Sequence, residues 1–348
     1  MADKNLAVPS RSQGAQASPA PLALVTGGSG FLGSHLVREL VSRGRQVRIF
    51  DLVEPAADLL ASGLVNFVHG NITEAQQVDQ AVAGCDEVYH LAANPRLWTL
   101  RRGDFLKVNY LGAKTVLDTA VKLKIKKILH CSTESILTRA RQTTPIRCDQ
   151  LVMMSDVIGP YCRSKFLAEK HAFFLANQGH PVFIVNPTLP CGPGDRHLSP
   201  PSRLIVDFCK GIRKEYLDAT LNFMDVRDMA RGMVQVMEIG RPARRYILGA
   251  HNTRILELFA ELSRQTGVPM PRWKVPYPLA LTVACLGEIG ADLITKKEPP
   301  ATITGVRLTQ RTMHFDTTDA LAELQIDPTP LARTLRDAIR WWQENEIL

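Results

Sequence analysis

The sequence predicts an α/β protein with a Rossmann-type, doubly wound parallel sheet and a smaller C-terminal α/β substrate domain. Three observations support this fold class: short apolar runs alternate with helical patterns, a glycine-rich turn follows the first run, and a proline-rich segment changes the pattern after residue 186. Strands that alternate with helices form a parallel sheet covered by helices on both faces. The predicted strands are 22–26, 47–50, 66–69, 87–91, 127–131 and 182–186.

The glycine-rich turn, TGGSGFLG at 26–33, joins the first predicted strand to a predicted helix at 34–44. Its first glycines let the backbone bend and approach a pyrophosphate, and the last lets the helix pack close to the sheet. The free N–H groups and the positive dipole end of a helix N-terminus favour phosphates. The turn therefore predicts a dinucleotide site, and its predicted contacts are Gly27, Gly30, Phe31, Leu32 and Gly33.

An aspartate, Asp51, ends the second predicted strand. A carboxylate there accepts hydrogen bonds from the adenosine ribose and repels a 2′-phosphate, although a solvated strand-end aspartate is the alternative. Residues 52–54 offer no cation to a phosphate, whereas Arg45 and Arg48 are nearby cations that would favour NADP. The sequence predicts NAD as the cofactor, with NADP less favoured.

A tyrosine and a lysine, Tyr161 and Lys165, stand at a spacing that puts the phenol and the ammonium on one helical face. A phenol with an ordinary pKa of about 10 is a poor base at neutral pH, and a neighbouring ammonium stabilises its phenolate. Ser132 and Thr133 follow a predicted strand at its carboxyl end, where parallel sheets place ligands. Together these residues predict proton transfer to or from a carbinol oxygen.

With these motifs in place, the chain resembles an extended short-chain dehydrogenase/reductase of the NAD-dependent epimerase/dehydratase family. The resemblance covers almost everything after residue 20, and it is closest to the hopanoid-associated sugar epimerase and dihydroflavonol-reductase-like branch. Besides the residues above, its carriers are GNIT at 70–73, HLAA at 90–93, DVRD at 225–228, and segments 93–98, 163–169, 185–187, 245–249 and 338–342.

The resemblance implies a role for each matching residue. Tyr161 would be the acid/base, Lys165 its electrostatic partner, and Thr133 the hydroxyl that hydrogen-bonds the substrate oxygen. Asn71 stands where many relatives carry an aspartate that contacts adenine, and an amide can make similar bonds. The implied cofactor contacts outside the turn are Asp51, Asn71, Ile72, Leu91, Ala92, Ala93, Asn109, Tyr161, Lys165 and Pro187.

The implied activity is hydride transfer at a secondary alcohol or ketone, as in a nucleotide-sugar epimerase or a dihydroflavonol reductase. One alternative is a 3β-hydroxysteroid dehydrogenase/decarboxylase-like enzyme acting on a sterol or terpenoid lipid. An alternative of another class is a non-catalytic NAD-binding regulator, although such a protein usually lacks the Tyr/Lys pair. The expected substrate is a small molecule: a nucleotide sugar, a flavonoid-like ketone or a polycyclic lipid.

Four other polar residues leave alternatives open. Sugar dehydratases of the family carry two adjacent carboxylates where this chain has only Glu134, which disfavours a 4,6-dehydratase. Glu134 contacts the substrate or is an exposed strand-end residue. His90 and His130 fall in strand runs and are expected as core histidines bonded to backbone. His197 lies in a loop that could face the substrate.

Composition limits the partners and the compartment. The net charge of +8 permits an anionic substrate or surface, but the basic residues are scattered without an aromatic-interleaved motif, so no nucleic acid is expected. Seven cysteines without a Cys-x-x-Cys pair indicate reduced thiols, a cytoplasmic setting and no metal site. Residues 1–20, without a continuous apolar run, predict a disordered tail.

Beyond the tail, residues 21–187 are predicted to form the NAD(P)-binding domain, and 188–348 the substrate-binding domain. Segments 222–228 and 244–249 are expected to return to the first domain. The apolar stretch at 278–287 is shorter than the roughly 20 residues that span a bilayer, so a core helix is expected there. A peripheral membrane contact and a homodimer remain open.

Overall fold

The computed structural model describes residues 20–348, so the predicted tail lies outside the described part except for its last residue. The strands of that part are β1 (Leu22–Thr26), β2 (Gln46–Asp51), β3 (Val65–His69), β4 (Glu87–His90), β5 (Lys127–Cys131), β6 (Val182–Pro187), β7 (Leu189–Cys191), β8 (Glu215–Tyr216), β9 (Thr220–Asp225), β10 (Arg245–Leu248), β11 (His251–Arg254) and β12 (Trp273–Lys274). The helices are α1 (Phe31–Ser42), α2 (Ala57–Leu60), α3 (Ala75–Val82), α4 (Gly103–Phe105), α5 (Ala113–Lys122), α6 (Gly159–Asn177), α7 (Pro200–Cys209), α8 (Val226–Ile239), α9 (Ile255–Thr266), α10 (Tyr277–Gly290), α11 (Ile303–Leu308), α12 (Thr318–Glu323) and α13 (Leu331–Glu344). Two π-helical segments, Leu106–Gly112 and Ala291–Thr295, continue α4 and α10.

The large sheet has seven strands in the order β10-β6-β5-β4-β1-β2-β3, and every neighbouring pair is parallel. Its central strands read as nearly unbroken apolar runs because helices cover both faces. Val25 of β1 packs with α1 and α8 on one face, whereas its neighbour Leu24 packs with α3, α5 and α6 on the other. The predicted doubly wound sheet is confirmed.

A smaller sheet, in the order β11-β9-β7, forms the second layer of the molecule. Its core contains Phe223 of β9 and is closed by α7, α9 and α13, whose Phe208, Phe259 and Trp342 are fully buried. The chain crosses between the two units more than once. Segment 244–249 contains β10, which pairs with β6 in the large sheet, whereas 222–228 runs from β9 of the small sheet into α8.

The apolar stretch at 278–287 forms most of α10, and the prediction of a core helix is wrong. The buried residues of α10 are Ala280 and Ala284, while Leu286 is 64% exposed. The small alanines form the face that packs on the protein, so the large apolar side chains point outward. Apolar composition alone could not show this, because it does not reveal which face is covered.

Candidate active site

The glycine-rich turn forms a cradle that a side chain would fill. Gly27 adopts a φ of +75°, and a Cβ on it would lie 2.7 Å from the backbone nitrogen of Ala92. A Cβ on Gly33 would lie 2.0 Å from the Gly27 carbonyl oxygen. Within the described residues, no side chain caps α1 and no acidic residue stands in its first turn. The free N–H groups at Phe31 and beyond suit an anionic pyrophosphate.

The segment after β4 lies against this turn. Leu91 N donates to the Thr26 carbonyl oxygen at 3.0 Å, and Ala92 N donates to the Thr26 hydroxyl at 3.2 Å. These bonds hold Leu91, Ala92 and the following Ala93 beside Gly27. The structure thus brings together the two predicted halves of the cofactor cleft.

Asp51 closes the cleft at the end of β2. Its carboxylate accepts hydrogen bonds from Leu52 N at 2.7 Å and Ser29 N at 3.1 Å, so its position is fixed by backbone groups. Arg45 pairs with Glu87 and Glu238, and Arg48 donates to backbone carbonyls at the end of α3 and just after it. Neither guanidinium is therefore aimed at Asp51, and both are occupied elsewhere.

Three other predicted cofactor residues, Asn71, Ile72 and Asn109, differ in burial and in their hydrogen bonds. Asn71 accepts a hydrogen bond from Thr73 N at 3.0 Å and is only partly buried. Ile72 is 6% exposed and packs in the core, which leaves its backbone for any cofactor contact. Asn109, in a π-helical segment, binds the backbone of Asn94 with both ends of its amide. Asn109 therefore fixes the loop after β4, and its amide is occupied by that loop.

The predicted catalytic residues converge at the carboxyl end of β5. Lys165 is 5% exposed, and its Nζ donates to the Cys131 carbonyl oxygen at 2.6 Å. Burial lowers the pKa of this ammonium. Tyr161 lies one turn earlier on α6, and its ring packs edge-on against Phe105 at 6.2 Å between centroids. Burial raises the pKa of the Tyr161 phenol far above its ordinary value, with Cys162 and Glu134 adding to the rise and the Thr133 hydroxyl opposing it.

Glu134 is buried, which removes the exposed strand-end alternative. Glu134 is 6% exposed, and its Oε2 accepts a hydrogen bond from the Thr133 hydroxyl at 2.9 Å. Burial raises the pKa of Glu134 from 4.5 to about 7, with the Thr133 bond acting in the opposite direction. The Thr133 hydroxyl also lies 3.0 Å from Ser135 Oγ. A titratable carboxyl therefore bonds the Thr133 hydroxyl, which belongs to the predicted acid/base site.

A buried polar network behind the site was not predicted. Asn186 donates from Nδ2 to the Thr133 carbonyl oxygen at 3.0 Å and to Glu169 at 2.6 Å. Arg245 completes the network with a 2.7 Å ion pair to Glu169. Sequence supplied only a faint signal, a glutamate one turn after Lys165 on the same helix. Since the arginine comes from β10, the pairing is a property of the tertiary fold.

The histidine expectations divide. His90 and His130 are core residues, and their stacked rings have centroids 5.7 Å apart. His90 Nδ1 bonds the Thr26 hydroxyl at 2.8 Å. Neither ring nitrogen of His130 has a hydrogen-bond partner within residues 20–348. The predicted bonding to backbone was wrong, because parallel-strand backbone groups are used by the sheet itself. Burial lowers the pKa of His90 to about 3. His197 is exposed. Pro187, a predicted cofactor contact, is buried and ends β6.

Comparisons with known proteins identify the family of this chain. The model of the NAD dependent epimerase/dehydratase family matches residues 23–249. The chain belongs to this family. It is therefore an NAD(P)-dependent enzyme of the extended short-chain dehydrogenase/reductase type, as the sequence predicted.

Individual relatives span several activities. The "Putative dihydroflavonol 4-reductase" of Synechocystis sp. is 33% identical over 92% of this chain and 94% of its own length. Sterol demethylase protein B of Methylococcus capsulatus is 26% identical over 93% of this chain and 99% of its own length.

Solved structures share the architecture. The crystal structure of gox2253 is 29% identical, with a TM-score of 0.82 over 94% of this chain and 99% of that one. MoeE5 in complex with UDP-glucuronic acid and NAD is 22% identical, with a TM-score of 0.72 over 93% of this chain and 99% of that one. The second likeness establishes the fold alone.

Proposed function

We propose that this protein transfers a hydride between NAD and a secondary alcohol or ketone of a small molecule, with Tyr161 as the acid/base. When bound, NAD supplies the nicotinamide carbon that accepts or donates the hydride. In the reducing direction Tyr161 gives its phenolic proton to the carbonyl oxygen, and in the oxidising direction it takes the hydroxyl proton. The Thr133 hydroxyl orients the same oxygen, and the Lys165 ammonium stabilises the phenolate.

The observation that carries this proposal is the fixed ammonium at the end of β5. Lys165 is anchored by the Cys131 carbonyl oxygen at 2.6 Å on the helical face that also carries Tyr161. Because burial disfavours a phenolate at Tyr161, the phenol rests as a proton donor and needs a nearby positive charge to act as a base. A binding regulator would have no use for this arrangement.

The choice of NAD over NADP follows from Asp51. Its carboxylate is locked by Ser29 N and Leu52 N where the adenosine ribose would lie. Arg45 and Arg48, the cations close in sequence, are engaged elsewhere. These contacts support hydrogen bonding to a ribose hydroxyl and repulsion of a 2′-phosphate.

A polycyclic or terpenoid lipid is the second substrate candidate besides a nucleotide sugar or flavonoid-like ketone. One observation favours it: the Tyr161 ring belongs to an apolar cluster with Leu97, Ile158 and Leu308, and α10 presents apolar side chains to the outside nearby. The sterol-related protein of Methylococcus capsulatus aligns over nearly its whole length with this chain. We place the enzyme in the cytoplasm, since all seven cysteines are unpaired thiols.

The test is Tyr161→Phe, measured by nicotinamide absorbance against candidate alcohols and ketones of the three classes. Removing the phenolic proton should lower turnover about 10²–10⁴-fold, while the variant stays folded and still binds NAD. Tyr216→Phe, a partly buried tyrosine of the small domain, is the matched control. Full turnover in Tyr161→Phe would remove this residue from the mechanism. A net absorbance change identifies a dehydrogenase or reductase, and product formation without one identifies an epimerase.

A further inference from the structure

The most unusual surface of the molecule is the outer side of α10 and its π-helical continuation. Its exposed residues, the outer apolar stripe, are Leu279, Val283, Leu286, Ile289, Leu293 and Ile294, each between 54% and 79% exposed. At about 100° per residue these positions fall on one side of the helix, and the buried Ala280, Ala284 and Ala291 fall on the other. An ordinary surface helix packs its apolar face on the protein, whereas this helix exposes its large apolar side chains to solvent.

The charged residues of this helix are turned away from the stripe. Over residues 277–295 the charges are Glu288 and Asp292, and Arg102 binds both at 3.1–3.3 Å. Glu288 also accepts a hydrogen bond from Ile303 N at 2.8 Å. Arg102 in turn lies 5.2 Å from the Trp98 ring centre. The protein therefore uses ion pairs to keep charge off the outer side.

The helix lies on the protein and does not leave it. Tyr277–Thr295 is the one described helix with the length and hydropathy of a membrane span, with a mean hydropathy of 1.4. Its inner side packs on α11, and the chain on both sides of it is bonded to the rest of the protein. Before the helix, Val275 N donates to the Tyr216 carbonyl oxygen, and after it the Arg311 guanidinium donates to the Asp156 carbonyl oxygen at 3.2 Å. A helix tied down in this way can enter an interface sideways, but it cannot cross a bilayer.

We propose that the outer apolar stripe docks the protein onto the surface of an anionic lipid bilayer. Basic residues flank the stripe at both ends, Arg272 and Lys274 before it and Lys296 and Lys297 after it, and all are exposed. Trp273, 73% exposed, stands among the first pair, and tryptophan is favoured at lipid headgroup depth. Nearby acids partly offset these charges, since Lys274 pairs with Asp218 at 2.7 Å and Glu298 is exposed. Anionic headgroups suit the remaining positive charge.

A second copy of the chain suits this surface less well. Two stripes packed about a two-fold axis meet either parallel or antiparallel. In the parallel case the Lys296–Lys297 ends face each other, and in the antiparallel case they face the Arg272–Lys274 ends. Cations meet cations in both arrangements. Thr282 lies within the stripe, but its hydroxyl donates to the Pro278 carbonyl oxygen at 2.9 Å and so does not fix a register between copies.

The stripe is close to the proposed chemistry. Thr304 of α11 contacts Gly159, the first residue of α6, so closely that a Cβ on Gly159 would lie 2.3 Å from its hydroxyl oxygen. Tyr161 follows two residues later on α6. Since α10 packs on α11, one short helix separates the stripe from the start of the catalytic helix. Docking would place the cleft beside the bilayer surface, from which an apolar substrate could enter.

The experiment is flotation of the full chain with vesicles of phosphatidylcholine alone or with about one third phosphatidylglycerol. The wild type should float with the anionic vesicles and much less with the neutral ones. Leu286→Glu combined with Leu293→Glu should reduce the bound fraction at least tenfold. Ile239→Glu, which alters a 46% exposed isoleucine at the end of α8, should bind as the wild type does.

Each other result overturns the proposal. Wild-type protein that stays unbound to anionic vesicles refutes docking, and so does a double variant that binds as well as the wild type. If the double substitution instead turns a dimer into a monomer without affecting flotation, the stripe covers a second copy. Thermal unfolding shows whether the variants are folded, as surface changes should leave them. The assay needs no turnover, so vesicle binding by an inactive protein would refute the proposed function and leave docking intact.

Discussion

Asp51→Asn is the sharpest test of cofactor choice, because it removes one charge while preserving the shape of the side chain. In the wild type the two carboxylate oxygens accept from Leu52 N at 2.7 Å and Ser29 N at 3.1 Å. The asparagine oxygen can keep the shorter bond. Its NH₂ group then faces the Ser29 N–H, a donor against a donor. We expect a loss of about 1 kcal/mol in NAD affinity from this mismatch and from a weaker ribose contact.

The larger effect is on NADP. A unit negative charge about 5 Å from the carboxylate is repelled by about 1–3 kcal/mol for effective dielectric constants between those of water and a protein surface. Asp51 is only partly buried, so the lower part of this range applies. Removing the charge should therefore shrink the preference for NAD over NADP by roughly 5- to 30-fold.

Calorimetric titration with both dinucleotides at low and high salt measures this ratio directly. Added salt should weaken the wild-type discrimination, because screening acts on the charge term. Glu54→Gln removes an exposed charge three residues away and should leave the ratio unchanged. A wild-type preference for NADP, or equal shifts in the ratio for Asp51→Asn and Glu54→Gln, would refute the assignment of Asp51.

Two further predictions concern the cradle and the buried acid. Gly33→Ala should lower NAD affinity at least tenfold, measured by calorimetry, because its Cβ would lie 2.0 Å from the Gly27 carbonyl oxygen and must displace the turn. Gly44→Ala controls for backbone strain alone, since a Cβ there would contact nothing within 4 Å. Equal NAD affinities in the two variants would contradict the cradle. Glu134 keeps its proton in the folded state up to a pKa of about 7 but loses it near 4.5 when unfolded, so its contribution to stability falls as pH rises through that window, by roughly 3 kcal/mol in all. Urea unfolding should show Glu134→Gln gaining stability relative to the wild type between pH 4.5 and 7.5, and a difference that does not depend on pH would refute the buried, protonated state.

Local sequence was sufficient to predict the glycine-rich turn between β1 and α1 and most of the large sheet. The strand predicted at 22–26 is β1, and the one at 127–131 is β5, with the same bounds. Buried parallel strands are short continuous apolar runs, and a glycine turn at a strand–helix junction has few other uses. These signals depend only on neighbouring residues, so they can be recognised without knowledge of the fold.

The surroundings of the site could not be predicted in the same way. Glu134 was open between an exposed and a substrate-facing position, and only the packing of the segment after β5 shows that it is buried. The pair between Glu169 and Arg245 joins residues of α6 and β10 that are far apart in sequence. The burial and the pKa of a side chain depend on the residues that other segments pack around it. A local sequence pattern does not show which residues those are.

By itself the sequence determined the fold class, and it predicted a dinucleotide site at the glycine-rich turn and proton transfer by Thr133, Tyr161 and Lys165. The fold class and the turn follow from periodicity and residue types within single elements, the Tyr161–Lys165 pair from its spacing, and the role of Thr133 from the family resemblance. Only the tertiary structure decided that the ammonium of Lys165 is anchored on β5 and that the apolar side of α10 faces outward. The physical reason is that hydrophobic composition shows how much apolar surface a segment carries, while only the packed neighbours determine which part of that surface leaves water.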